Sequence, residues 1–125
     1  MLYKDTEELC ECGARFSRFI EPRLLLLLFK GESYGYELVS KLNEISFPGE
    51  PLDAGNVYRN LRRMENEGLI KSRWATAKSG PPRRIYRITI EGEDRLRAWM
   101  LVIEERRNSL TRLIEDYKTF VEKKK

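Results

Sequence analysis

Apolar side chains recur along this chain with a period that changes from stretch to stretch, and each change marks an element. Leu24, Leu25, Leu26, Leu27, Leu28 and Phe29 form an unbroken apolar run between Arg23 and Lys30. Pro22 suits the first turn of a helix, where a missing N–H loses no partner, so a helix over about Pro22 to Lys30 is predicted. The run is far shorter than the roughly 20 residues a membrane-spanning helix needs, which makes it a core segment. Gly31-Glu32-Ser33 interrupts it, and Ser33 is predicted to cap the next helix through its hydroxyl. That helix, about Tyr34 to Glu44, draws its apolar face from Leu38 and Leu42, one turn apart, with Val39 beside them. The loop Phe47-Pro48-Gly49-Glu50-Pro51 leads to Asp53, an N-cap residue. Val57, Leu61 and Met64 then fall at i, i+4 and i+7 until Gly68 supplies the stop, which predicts a third helix.

The period then drops to two. Ile70 to Trp74 and Ile85 to Ile90 alternate, with Ile70 and Trp74 on one face of the first segment and Tyr86, Ile88 and Ile90 on one face of the second. Both read as strands of a hairpin, joined by Ala77-Lys78-Ser79-Gly80-Pro81-Pro82-Arg83-Arg84, an exposed basic finger too rich in Gly and Pro for regular structure. From about Glu91 the period becomes seven. Leu96, Ile103, Leu110 and Tyr117 repeat, with Trp99, Leu113 and Phe120 three residues after their neighbours and Met100, Ile114 and Val121 alongside. A helix of about 30 residues extends about 45 Å, more than a domain this small can cover. Its stripe therefore predicts a partner helix, most simply from a second copy of the chain. Phe16 and Phe19, at helical spacing with Ile20, join Leu96, Trp99, Ile103, Leu110, Leu113, Tyr117 and Phe120 as the predicted dimerisation residues, and Arg106 marks where the seam loosens. The alternative is that the stripe folds back on the three short helices. The predicted fold class is mainly α with a small two-stranded β-wing (α+β), a winged helix-turn-helix carrying a long C-terminal dimerisation helix. Residues 1–21 form an N-terminal arm, 22–90 the winged domain and 91–125 the dimerisation helix.

At 125 residues, 41% of them apolar, the chain can bury one core. The absence of histidine removes His-based acid/base catalysis, His-activated nucleophiles and His-ligated metal sites. No phosphate-binding or dinucleotide-binding loop stands in their place, and Glu104, Glu105, Glu115 and Asp116 fit a solvated helix face, so the expectation is a protein that is not an enzyme and uses no cofactor. Nothing resembles a secretory signal, and Cys10 and Cys12 are the only cysteines, so the cytoplasm is expected. A C-x-C pair cannot complete a four-ligand site within one chain. Two copies at a dimer axis could supply four sulfurs for zinc or iron, or a redox-sensitive cluster, but unliganded thiols are the simpler reading.

The net charge of +4 says little until it is located. Between Asn56 and Ile90 stand nine bases (Arg59, Arg62, Arg63, Lys71, Arg73, Lys78, Arg83, Arg84, Arg87) against Glu65 and Glu67, a local +7 that leaves −3 for the remainder. Basic groups concentrated on a third helix and a wing are the footprint of a protein that neutralises phosphates. With Val57, Leu61 and Met64 facing inward, Asn56, Arg59, Asn60 and Arg63 face away, and arginine and asparagine can pair bidentately with guanine and adenine edges. Gly55 would let backbone approach a phosphate closely. Tyr34, Tyr36 and Tyr58 could donate hydroxyls to phosphates, although each also suits a core. The bland reading is a solvated basic surface, or a winged helix that binds protein instead of DNA; basic groups on both the helix and the wing tip favour double-stranded DNA.

The stretches Tyr34-Gly35-Tyr36-Glu37-Leu38, Gly55-Asn56-Val57-Tyr58-Arg59-Asn60-Leu61, Glu67-Gly68-Leu69-Ile70 with Trp74, and Gly80-Pro81-Pro82-Arg83-Arg84 with Tyr86-Arg87-Ile88-Thr89 and Gly92, in that order over about Leu24 to Trp99, resemble the PadR family of bacterial transcriptional regulators. The resemblance implies a homodimeric winged-helix repressor that binds a roughly palindromic operator and often releases it on binding a small-molecule effector. It implies DNA contacts by Tyr36, Asn56, Tyr58, Arg59 and Arg63 and by the wing residues Arg83 and Arg84; Gly55, Asn60 and Lys78 are added from the residues alone. In multidrug-sensing members a tryptophan on the last helix stacks aromatic ligands, a place filled here by Ile103, so Trp99 and Trp74 read as packing residues and no particular effector is indicated. The arm with Cys-Glu-Cys and the Phe19-Ile20-Glu21-Pro22 lead resemble a sub-branch that includes polyhydroxybutyrate-responsive repressors.

Overall fold

The computed structural model describes residues 19–50, 52–76 and 80–124. In chain order, α1 spans Ile20–Phe29, β1 Ser33–Tyr34, α2 Gly35–Glu44, α3 Ala54–Asn66, β2 Ile70–Ala75, β3 Arg83–Ile88 and α4 Ile90–Lys124. Among the described residues, three short helices, a wing and one long helix appear in the predicted order. Phe16, Cys10, Cys12 and Lys78 lie outside the described residues.

The third helix forms for the reasons its sequence gives. Asp53 Oδ1 accepts the Asn56 backbone N–H at 2.8 Å, which satisfies an N-terminal donor that has no partner inside the helix. Val57, Leu61 and Met64 are buried. Gly68, at φ +80°, then turns the chain into a conformation that L side chains resist. The first helix begins two residues earlier than predicted, at Ile20, because Ile20 is itself a core residue behind Leu24, Leu25 and Leu28.

The structure departs from the predicted elements at three places. The predicted hairpin is present as β2 paired with β3, and β1 adds a short third strand to it, in the antiparallel order β1-β3-β2, with Ser33 opposite Tyr86 and Tyr34 opposite Ile85. Ser33 accordingly does not cap α2. Its hydroxyl donates to Glu37 Oε1 at 3.1 Å, and the same carboxylate oxygen accepts the Tyr34 backbone N–H at 3.1 Å. Glu37 thus reaches back to the residue before the helix. Ile90 does not continue the alternation of β3 either; it opens α4 and is exposed. Thr89 causes the change. Its buried hydroxyl lies 2.7 Å from the Gly68 carbonyl and 2.9 Å from the Leu69 carbonyl, and accepts the Gly92 N–H at 3.0 Å. This one side chain ends a strand, caps a helix and ties both to the start of β2.

One core joins these elements, built from Ile20, Leu24, Leu25 and Leu28 of α1, Leu38 and Leu42 of α2, Val57, Leu61 and Met64 of α3, Leu69, Ile70 and Tyr86 of the wing, and Leu96 of α4. Leu96, expected in the dimer seam, is thus buried in the protomer's own core. Beyond Trp99, which packs against that core, α4 runs out from the domain. Its 35 residues, more than the expected 30, extend about 52 Å, and Leu110, Leu113, Ile114, Tyr117 and Phe120 on its outer part are all more than half exposed.

Candidate nucleic-acid interface

The exposed side of α3 carries a ladder of polar groups. Arg59 donates to Asn56 Oδ1, Asn60 Nδ2 donates to the Asn56 carbonyl at 2.8 Å, and Arg63 Nη2 donates to Asn60 Oδ1 at 3.1 Å. Gly55 keeps the start of this ladder open, since a Cβ there would lie 3.1 Å from Asp53 Oδ1 and 3.3 Å from Arg59 Nη1. Arg63 differs from Arg59 in its commitments. Its Nη1 donates to Glu21 at 3.0 Å and to Glu67 at 3.1 Å, so much of its charge is neutralised within the domain. Arg73 is similarly engaged by both oxygens of Glu32, at 3.0 and 3.1 Å. The Arg73 hydrogen bond holds the exposed Glu32 carboxyl below its usual range. Positive charge on this face is thus narrower than the residue tally implied, because Glu21 and Glu32 come from outside the stretch that was counted.

The wing meets this face in a single cleft. Gly35, Tyr36, Tyr58, Trp74, Pro82, Arg83, Arg84 and Tyr86 line an open depression of about 480 Å³, so side chains from α2, α3 and both long strands converge there. The Tyr58 ring lies against Gly35, where an added Cβ would be 2.8 Å from its Cε1. Tyr36 stacks on Tyr34 at 5.7 Å between centroids, and the Arg83 guanidinium lies 4.9 Å over the Tyr36 ring. The Arg84 guanidinium lies 4.9 Å over Trp74. Trp74 corrects the expectation of a packing residue: the face it shares with Ile70 runs past the edge of the core, leaving the indole 62% exposed. Arg83 and Arg84, expected in the loop, belong to β3.

The residue that sequence reasoning missed is Glu21. Only 3% exposed, it receives Arg63 of α3 at 3.0 Å on one oxygen, and Arg95 at 2.8 Å and the Trp99 indole N–H at 2.6 Å, both of α4, on the other. Burial pushes its carboxyl up, but the Trp99 and Arg63 hydrogen bonds and the charges of Arg95 and Arg63 outweigh that and hold it below the usual carboxylate range. Its partners are 42, 74 and 78 residues away, and no local pattern announces them. Trp99 is consequently a packing residue, its ring 5.9 Å from that of Phe19, which also meets Phe47 edge-on at 6.2 Å. Phe19 and Trp99, assigned to the dimer seam, are both engaged within the chain.

Beside them runs an apolar groove of about 580 Å³, between Phe19, Pro22, Leu26, Phe47 and Pro48 on one wall and Met100, Ile103, Leu110 and Ile114 of α4 on the other. No helix among the described residues is long and apolar enough to cross a membrane.

Comparison with known proteins bears on this arrangement. Among curated proteins, none matches the chain. A PadR-family transcription regulator of Clostridium difficile R20291 is 31% identical, with 77% of this chain and 98% of that one covered at a TM-score of 0.69. A PadR-like transcriptional regulator of Bacillus cereus ATCC 14579 is 32% identical, with 76% and 94% covered at a TM-score of 0.61. Bacillus subtilis PadR, whose structure was determined in complex with operator DNA, is 26% identical over 66% of this chain and 46% of its own, at a TM-score of 0.59. Residues 24–98 match the model of the transcriptional regulator PadR-like family. With that match running from within α1 through α2, α3 and the wing to the root of α4, the chain belongs to the PadR-like family of transcriptional regulators.

Proposed function

We propose that this chain is a homodimeric transcriptional repressor that binds an operator in double-stranded DNA through α3 and the wing. The observation that carries the proposal is the shared cleft: Tyr36 of α2, Tyr58 of α3 and Arg83 and Arg84 of β3 line one depression on the domain that also carries the ladder of half-buried Asn56 and Asn60 with exposed Arg59. Asn56 and Arg59 enter the major groove to meet base edges, with Gly55 at the helix start, while Arg83, Arg84 and Lys78 follow the backbone. Asn60 and Arg63 act chiefly by holding the ladder in register. That Bacillus subtilis PadR is bound to operator DNA supports the choice of partner.

The dimer rests on two complementary apolar surfaces that one chain cannot join: the groove beside Phe19 and Leu26, and the stripe of Leu113, Tyr117 and Phe120 far out on α4. A second copy related by a two-fold axis covers both at once. Repression, and release by a small-molecule effector, follow from the family resemblance; such a regulator acts in the cytoplasm. The test is fluorescence anisotropy against the duplex upstream of the protein's own gene and against scrambled duplex, each at two salt concentrations, with the mass measured in parallel. Tight, salt-sensitive preference for the upstream duplex by a dimer is the expected result. No binding to either duplex at low salt would point instead to a protein-interaction module.

A further inference from the structure

Trp74 and Arg84 stand directly opposite each other across the β2–β3 ladder, with the guanidinium 4.9 Å from the centre of the indole ring. Along β2 the same face carries Ile70, Ser72 and Trp74, and along β3 it carries Ile88, Tyr86 and Arg84. The face thus begins in the core and ends in the cleft shared with α2 and α3. An indole 62% exposed gains little from burial, so core packing does not explain a tryptophan here. What the ring does provide is a π face on which a guanidinium rests. The neighbouring arginine is treated alike: Arg83 lies over Tyr36, itself stacked on Tyr34. Two successive cations of β3 are each held by a ring from a different element.

We propose that Trp74 is a positioning residue for DNA binding, its ring fixing the Arg84 guanidinium over the cleft so that it meets a backbone phosphate already oriented. A long flexible side chain that must be ordered on binding lowers affinity, and ordering it beforehand recovers part of that loss. The role rests on the DNA-binding function proposed above. It adds to it a residue that need touch no phosphate itself.

The test is a double-mutant cycle with wild type, Trp74→Ala, Arg84→Ala and the double variant, together with Trp74→Phe and Trp74→Leu. Affinity for the duplex upstream of the gene is measured by anisotropy, and thermal melts verify the fold. Trp74→Ala is expected to weaken binding by about two- to fivefold, the double variant to bind no worse than Arg84→Ala alone, and Trp74→Phe to recover most of the loss where Trp74→Leu does not. Unchanged binding by Trp74→Ala, or a double variant whose loss is the product of the two single losses, overturns the role. If Trp74→Ala does not fold, the Phe and Leu variants decide, and equal affinity for those two overturns it as well. Wild-type protein that binds no duplex removes the function itself, an outcome distinct from a wild type that binds and a Trp74 that does not matter.

Discussion

Replacing Gly92 by alanine sets two effects of opposite sign against each other, and the structure decides between them. Gly92 lies in the first turn of a long helix, where alanine is intrinsically better by about 1 kcal/mol. At this position, however, a Cβ would sit 2.1 Å from the Leu69 carbonyl oxygen and 2.7 Å from Ile88 Cγ1. The first is a backbone atom, so no rotamer change relieves it; α4 and the start of β2 must part by about 1 Å to restore an ordinary contact. That movement pulls on the Thr89 hydroxyl, which bridges Gly68, Leu69 and the Gly92 N–H, and on the Thr89 N–H, which donates to the Leu69 carbonyl at 3.1 Å. Overpacking costs about 1–3 kcal/mol, and a buried bond left poorly made costs about 1–3 kcal/mol more. Against the propensity gain, the net loss is about 3 kcal/mol. For a chain of this size that lowers Tm by about 10 °C, read by calorimetry or circular dichroism at fixed protein concentration. A Gly92→Ala variant as stable as wild type, or more so, would show that α4 is not pressed against Leu69 and would refute the reasoning.

Three further predictions follow from the same contacts. Glu21→Gln leaves Glu67 as the one carboxylate paired with Arg63 and Arg95 among the described residues. Because both arginine side chains remain over 40% exposed, the loss at neutral pH is about 2 kcal/mol, less than for a fully buried pair. Since the folded-state carboxyl lies below its ordinary value of 4.5, its contribution is present above that pH and fades as pH falls through the folded value. Denaturation curves of variant and wild type should therefore converge in acid, and a gap that persists at low pH would assign the loss to shape. Arg83→Ala with Arg84→Ala should weaken binding to all duplexes and flatten the plot of log affinity against log salt by about 2; an unchanged slope in anisotropy titrations would take the wing off the DNA. Leu113→Glu with Tyr117→Glu would put four charges into the proposed two-fold seam while leaving the core untouched, so light scattering should report a monomer with an undisturbed circular dichroism spectrum, and a persistent dimer would place the interface elsewhere.

How much of this was legible in the sequence depends on how local each cause is. α3 could be read end to end, because Asp53, the Val57–Leu61–Met64 spacing and Gly68 act within one helix. β1 could not, since two residues have no period, and Ser33 with Tyr34 becomes a strand only when Tyr86 and Ile85 lie beside it. The alternation that seemed to extend through Ile90 was cut by Thr89, whose hydroxyl meets carbonyls 20 and 21 residues away. At the candidate interface the residue types and the wing were visible in advance. The neutralisation of Arg63 by Glu21 and of Arg73 by Glu32 was not, for these partners are 42 and 41 residues distant. The heptad repeat of the last helix was read correctly as a repeat, but its first members serve a different surface. Leu96 and Trp99 face the chain's own core, and the exposed stripe begins only after them.

The continuity of α4 has a mechanical consequence. Its root is fixed on three sides, by Gly92 against Leu69, by Leu96 in the core, and by Arg95 and Trp99 on Glu21, which also grips Arg63 of α3. Beyond Trp99 the unbroken helix runs on to Lys124, a length of about 38 Å, so it behaves as a lever arm clamped at its base. A tilt of one degree at the clamp moves the far tip by about 0.7 Å on that length. Read in reverse, displacing the tip by a few ångströms turns the base by only a few degrees, a deflection small enough for packed side chains to follow. The same carboxylate that clamps the arm also holds the helix carrying Asn56 and Arg59, so in the proposed dimer whatever sets the spacing of the two arms at their far ends would also set the angle at which the two α3 helices are presented.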